Sequence, residues 1–241
     1  MKEADFYALW QQIDEDDPFE LAVKAGALAE SPGLIFVAGY QACIQATFPE
    51  LAKNLWHTFA VSEDRTPDSQ RPGVELNNGE VTGFKTWIAS VDCVDSLIVK
   101  VGSGVSAQYG AVDARGESVL LTTKPESRFL PDMSQGVAEF TGAKFSALKD
   151  SSGVSRFHEF EPYYIYLAFL GRLITLDMPV TEAAKQALAE QKAERNLKRL
   201  DAAVSEIMQQ LSNLEISIGS NWDTDQRLFS MYSKGIQSRD H

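Results

Sequence analysis

The densest run of groups able to hold a metal or move a proton is His158-Glu159-Phe160-Glu161. A metal site needs further soft or carboxylate donors at ligand spacing. The other histidines, His57 and His241, and the two cysteines, Cys43 and Cys93, are all distant in sequence. The run therefore reads as the solvated start of a helix, and no metal ligand is assigned. Gly102-Ser103-Gly104 lacks the third glycine of a dinucleotide fingerprint and falls between predicted strands, so it reads as a turn. No G-x-S-x-G elbow or phosphate-binding loop occurs. Local motifs alone leave the catalytic residue unassigned.

The most informative stretch runs from Val74 to Val101. Asn78-Gly79 predicts a two-residue hairpin, because both turn positions must tolerate positive φ. A strand ending in Lys85-Thr86-Trp87-Ile88 follows, then Asp95 and a further strand. On the residues alone, Trp87 reads as ordinary β-core.

Composition sets limits on the rest. The chain has 241 residues, 44% of them hydrophobic and 23% charged, which suits a folded core. Its net charge of −12 repels nucleic acid, and any phosphate site must be built locally. No apolar run is long enough to span a bilayer. The acidic start MKEADFYALWQQIDEDDP has no signal-peptide core, and the two isolated cysteines suit a reducing compartment, so the expected location is cytoplasmic.

The elements that must position any site fall into three expected segments. Residues 1–56 read as helical: Phe6, Leu9, Trp10 and Ile13 recur at helical spacing, a second helix covers Pro18 to Ala29, and a buried third covers Leu34 to Ala46. Residues 57–150 alternate apolar and polar, with Leu97, Val99 and Val101 on one face, predicting a small antiparallel barrel or sandwich. Residues 151–241 return to helical patterns. A long helix is expected from Pro179, with Thr181 as N-cap. Within it Ala193, Leu197, Leu200, Val204, Ile207, Leu211 and Leu214 form a heptad seam. The seam reads either as core packing of one bundle or as a surface shared with a second subunit. Trp222 to Ser238 makes a last helix. The fold class is thus α+β and multidomain.

This order of helices, small β-domain and helical bundle resembles the acyl-CoA dehydrogenase family of flavoproteins. The hairpin strand is similar to that family's "LNG-x-K-x-W-I-T" segment. Val37-Ala38-Gly39-Tyr40-Gln41-Ala42 resembles its "aaGYQaAl" helix, and Phe59-Ala60-Val61-Ser62-Glu63 its "cAlTEP" strand. Trp222 through Arg239 is similar to its last helix. The resemblance implies FAD as cofactor, with Phe59, Val61, Ser62, Trp87, Ile88, Ala89 and Ser90 beside it. It implies an acyl-CoA thioester as substrate: a carboxylate takes the α-proton while the flavin accepts a hydride from the β-carbon. It also implies a homodimer or tetramer.

The chain departs from the family at four points. The "TEPxAGSD" loop is replaced by Ser62-Glu63-Asp64-Arg65-Thr66-Pro67-Asp68-Ser69, whose Glu63, Asp64 and Asp68 would repel a polyanionic substrate, with only Arg65 to offset them. Ala89 stands where the family carries a threonine hydroxyl, and Ser90 reaches that face only if the strand ends or bulges there. There is no Tyr-Glu-Gly base, which leaves Glu215 or Asp225 as relocated candidates. The "R-x-x-FG" segment is missing, since Gly171-Arg172 lacks the Phe-Gly. Weak or absent acyl-CoA dehydrogenase activity is expected. The alternative is a non-catalytic binding or assembly protein that keeps the fold.

Overall fold

The computed structural model describes residues 1–64, 66, 69–125, 127–149 and 154–238. The readings that involve Arg65, Pro67, Asp68, Arg239 and His241 lie outside the described residues. The chain forms two compact units. One comprises Met1–Thr47, Arg128–Asp132 and Arg156–His241, the other Phe48–Ser127 and Met133–Ser155.

The first unit is helical. Helices α1 (Glu3–Trp10), α2 (Pro18–Leu28) and α3 (Pro32–Thr47) pack with α4 (Phe157–Ile174), α5 (Thr181–Ala193), α6 (Leu197–Asn213), α7 (Trp222–Asp225) and α8 (Arg227–Gln237). Asp17 caps α2 by accepting the Phe19 N–H at 3.0 Å, with Pro18 at the first helical position. Ser31 does the same for α3 through the Leu34 N–H, so Ser31-Pro32-Gly33 opens that helix. Helix α3 is buried on nearly every side from Pro32 to Ile44, as its uniform apolarity requires. Its close approach to α4 depends on Gly39, where a Cβ would stand 2.4 Å from the Ile165 Cα.

The long C-terminal helix expected from Thr181 is two helices. Glu194 is extended (φ −151°, ψ 115°), and Asn196 caps α6 by accepting the Arg199 N–H at 3.0 Å. Thr181 is the first residue of α5 rather than its cap, and its hydroxyl accepts the Met178 N–H at 2.9 Å. Leu200, Val204, Ile207 and Leu211 are buried within their own chain, whereas Leu214 is 52% exposed. The central seam is thus core packing.

The second unit is a β-sandwich. Strands β1 (His57–Ala60), β4 (Ser96–Val101), β5 (Gln108–Asp113) and β8 (Ser146–Ala147) form one sheet in the order β1-β4-β5-β8. Strands β2 (Glu75–Asn77), β3 (Glu80–Ala89), β7 (Gln135–Lys144) and β6 (Val119–Thr123) form the other, in the order β2-β3-β7-β6. The two sheets are open layers, so the barrel alternative does not hold. The antiparallel expectation fails at one pair, because β1 runs parallel to β4. Leu97, Val99, Val81, Ile88, Ala138 and Phe140 share the core between the layers. The β2–β3 hairpin turns at Asn78 (φ 53°) and Gly79 (φ 82°), both left-handed, as its sequence predicts.

Candidate functional site

In the β-unit, the residues singled out in sequence gather around the end of β3. Ser62 follows β1, and its carbonyl accepts the Thr86 N–H at 2.9 Å, which sets the β1 extension beside β3. Strand β3 slips against β7 between Lys85 and Ile88, which pair with Ala138 and Gly136. One extra residue is therefore accommodated at Thr86-Trp87, a β-bulge of the kind that re-aims side chains. The bulge is held from both sides: Lys124 Nζ donates to the Thr86 carbonyl at 2.6 Å, and Trp87 Nε1 donates to Gln135 Oε1 at 3.2 Å.

The seven residues divide by exposure. Ile88 and Ala89 are buried, with Ile88 in the inter-sheet core, and the Ala89 carbonyl accepts the Thr58 hydroxyl at 2.7 Å. Phe59 is buried against Phe48 and Tyr109 at centroid distances of 5.6 and 5.9 Å. Trp87 and Val61 are half-buried, and Ser62 is exposed. Strand β3 ends at Ala89, and Ser90 takes a left-handed backbone (φ 52°), buried. The condition under which Ser90 escapes strict alternation is met.

The acidic loop does not present its charges as the sequence suggests. Glu63 turns inward: Lys85, 1% exposed, places Nζ 2.5 Å from Glu63 Oε1, and the Val74 N–H donates to the same oxygen at 3.3 Å. Asp64 turns onto its own loop, accepting the Thr66 N–H and hydroxyl at 2.9 and 2.5 Å and the Ser69 hydroxyl at 2.8 Å. Those bonds, the Thr66 hydroxyl's first, pull its carboxyl down to about 2.

In the helical unit, the two relocated base candidates lie in different surroundings. Glu215 is exposed just past the end of α6, in the left-handed region (φ 53°). Asp225 is fully buried and its Oδ1 accepts the Leu130 N–H at 3.1 Å. It anchors the 128–132 segment, whose Leu130 also has positive φ (54°). Burial raises its carboxyl above the usual range.

Glu161 is a further carboxyl raised by burial. It lies in the first turns of α4, half-buried, and burial pushes its carboxyl up to about 7, with the Tyr232 hydroxyl bonding to it in the opposing sense. The buried thiol of Cys43 and the phenol of Tyr232 interact with it, and Tyr40 and Tyr166 interact in turn with Tyr232. Arg195, placed by the α5–α6 break, spreads its guanidinium over Phe160, Tyr163 and Tyr164 at 4.1, 4.3 and 5.6 Å. A carboxyl ionising near neutrality can both take and return a proton. The sequence signal was present in the His158–Glu161 run, but its polarity points to solvent. Only the folded aromatic surroundings single out Glu161. Among the described residues, no three His, Cys, Asp or Glu side chains converge on a metal position. No helix among them is long and apolar enough to cross a membrane.

No family model and no curated protein sequence matches the chain. Solved structures do. FkbI, for biosynthesis of a methoxymalonyl extender unit, superposes with a TM-score of 0.60 at 14% identity, over 92% of this chain and 83% of that one. An FAD-dependent dehydrogenase gives 0.55 at 10% identity, over 86% and 78%. The prolyl acyl carrier protein oxidase AnaB gives 0.53 at 12% identity, over 78% and 68%. The fold is acyl-CoA dehydrogenase-like. At these identities the likeness establishes the fold, and function rests on the residues.

Proposed function

We propose that the protein is an FAD-dependent oxidoreductase acting on the CH–CH bond of an acyl thioester, acyl-CoA being the reference substrate, with Glu161 as its base. The observation that carries this reading is Glu161 itself, a carboxyl held near neutrality among aromatic groups. The fold's neighbours supply the context, one of them an FAD-dependent dehydrogenase.

The residues of the β-unit fit a flavin ring. The N–H groups of Val61 and Ser62 have no protein acceptor among the described residues, and they lie on an extension bonded to the bulge that presents Trp87. Ser62, Val61 and Trp87 would therefore hold the ring, while Phe59, Ile88, Ala89 and Ser90 support the backbone beneath it. When bound, FAD supplies the two-electron acceptor for the hydride leaving the β-carbon. The Glu161 carboxylate takes the α-proton on its oxygen, and the aromatic surroundings limit the water that competes for that proton. With Ala89 lacking a hydroxyl and the loop altered, turnover is expected to be weak.

The homodimer belongs to this proposal, through faces other than the α6 seam; Met231 is 58% exposed on α8. The test is anaerobic mixing of flavin-reconstituted protein with acyl-CoAs. Bleaching that Glu161→Gln slows by about 10²-fold or more supports the reading. No flavin uptake at all favours the second reading, a non-catalytic binding or assembly protein, which Ala89 and the replaced loop motivate.

A further inference from the structure

We propose that Arg195 and Arg156 form a phosphate-binding site on the helical unit, with the Phe160 ring as the platform that both guanidiniums share. The inference does not depend on the proposed reaction or on Glu161.

The break between α5 and α6 sets the first arginine in place. Buried Gln191 accepts the Asn196 N–H at 2.8 Å, and the Asn196 side chain accepts the Arg199 N–H at 3.0 Å, so the chain on either side of Glu194-Arg195 is fixed. Arg195 is thereby aimed at α4. Its guanidinium carbon lies 4.1 Å from the Phe160 centroid and 4.3 Å from that of Tyr163. These rings are buried, and both meet Tyr164 edge to face, which makes the platform rigid. Arg156, at the N-cap of α4, places its own guanidinium carbon 4.8 Å from the same Phe160 centroid. A guanidinium over a ring keeps its N–H edge for acceptors in its own plane, and phosphate oxygens suit that fork two at a time.

The carboxylates around the break are engaged elsewhere. Glu194 pairs with Arg199 at 3.2 Å, Glu20 pairs with Lys192, and Asp17 caps α2. Arg156 reaches Glu159 only at 3.9 Å, between exposed side chains. The Arg195 N–H groups have no protein acceptor among the described residues. Two positive charges over one ring repel each other, and an anion held between them reverses the sign of that interaction. A phosphate carries about −1.5 to −2 charge at neutral pH and several acceptor oxygens, so it matches two guanidiniums where a carboxylate matches one. The chain's net charge of −12 repels the same anion elsewhere, which confines binding to this locally cationic spot.

The experiment follows the arginine Nε–H resonances of full-length protein labelled with ¹⁵N-arginine, with those of Arg156 and Arg195 assigned by their loss in Arg156→Gln and Arg195→Gln. Sodium phosphate is titrated at pH 7 against sodium chloride of equal ionic strength. Both resonances should shift along a saturating curve with phosphate and not with chloride. Arg195→Lys keeps the charge and loses the planar fork, so it should weaken the midpoint, read at Arg156, by about tenfold or more. Arg156→Gln should weaken it by a similar factor, read at Arg195. Both side chains are exposed, so these variants should keep the fold. Coenzyme A and dephospho-coenzyme A then separate the sources of the phosphate. Displacement of phosphate by both equally assigns the site to the diphosphate of a CoA ester, by coenzyme A alone to its 3′-phosphate, and by neither to free phosphate; each of these supports the site. Shifts that phosphate and chloride produce alike overturn it, as does a phosphate midpoint unchanged in both Arg195→Lys and Arg156→Gln.

Discussion

Lys85 Nζ stands 2.5 Å from Glu63 Oε1, and the two ends of the pair are unequally buried, at 1% and 24% side-chain exposure. A buried ammonium cannot rehydrate when its counter-charge is removed, whereas the glutamate partly can. Glu63→Gln should therefore cost more than Lys85→Met. The expected losses are about 3–5 kcal/mol for the first and roughly half that for the second. Urea unfolding of both variants checks the order, and a reversed order contradicts the burial argument.

The Glu161 carboxyl makes stability depend on pH. It ionises at about 7 in the folded protein and near 4.5 when unfolded. Below the lower value both states are protonated and nothing is lost. Between the two values the unfolded state releases its proton first, so stability falls as pH rises, and the loss is complete above 7. Glu161→Gln should match wild type at pH 4 and be more stable at pH 8, by an amount on the order of 3 kcal/mol. Thermal unfolding at both pH values reads this directly.

Gly39 admits no side chain. A Cβ there would stand 2.4 Å from the Ile165 Cα and 2.6 Å from its nitrogen, both backbone atoms. Gly39→Ala should destabilise by at least about 1–3 kcal/mol, since α3 and α4 must move apart. A melting temperature unchanged from wild type would contradict the close packing of these helices.

Ile207, 1% exposed, lies in the middle of the α6 seam. Ile207→Ala should cost about 2–5 kcal/mol through the cavity it leaves. It should leave the particle mass measured by light scattering unchanged, because that face is covered by its own chain.

Local chemistry was legible in the sequence wherever neighbours in the chain decide it. Asn78-Gly79 marks its turn because only residues tolerant of positive φ suit it, and alternation marks Leu97 and Val99 as core. Pro18 marks a helix start for an equally local reason, whereas the third helix begins at Pro32, two residues before the Leu34 its apolar run suggests. What stayed hidden depends on distant partners. Nothing near Lys85 in sequence indicates a buried ion pair with Glu63. The α5–α6 break has no proline or glycine to announce it: Glu194 is extended and Asn196 caps, yet the heptad spacing runs straight through. Glu161 sits in a polar run that reads as solvated. Its environment comes from Cys43 and Tyr232, far away in the chain.

The most direct test of the account is the rate at which an acyl-CoA bleaches protein-bound FAD without oxygen, compared between wild type and Glu161→Gln at pH 8. With Glu161 as base, wild type bleaches and the variant, still loaded with flavin, slows by about 10²-fold or more. Equal rates in the two proteins would contradict it.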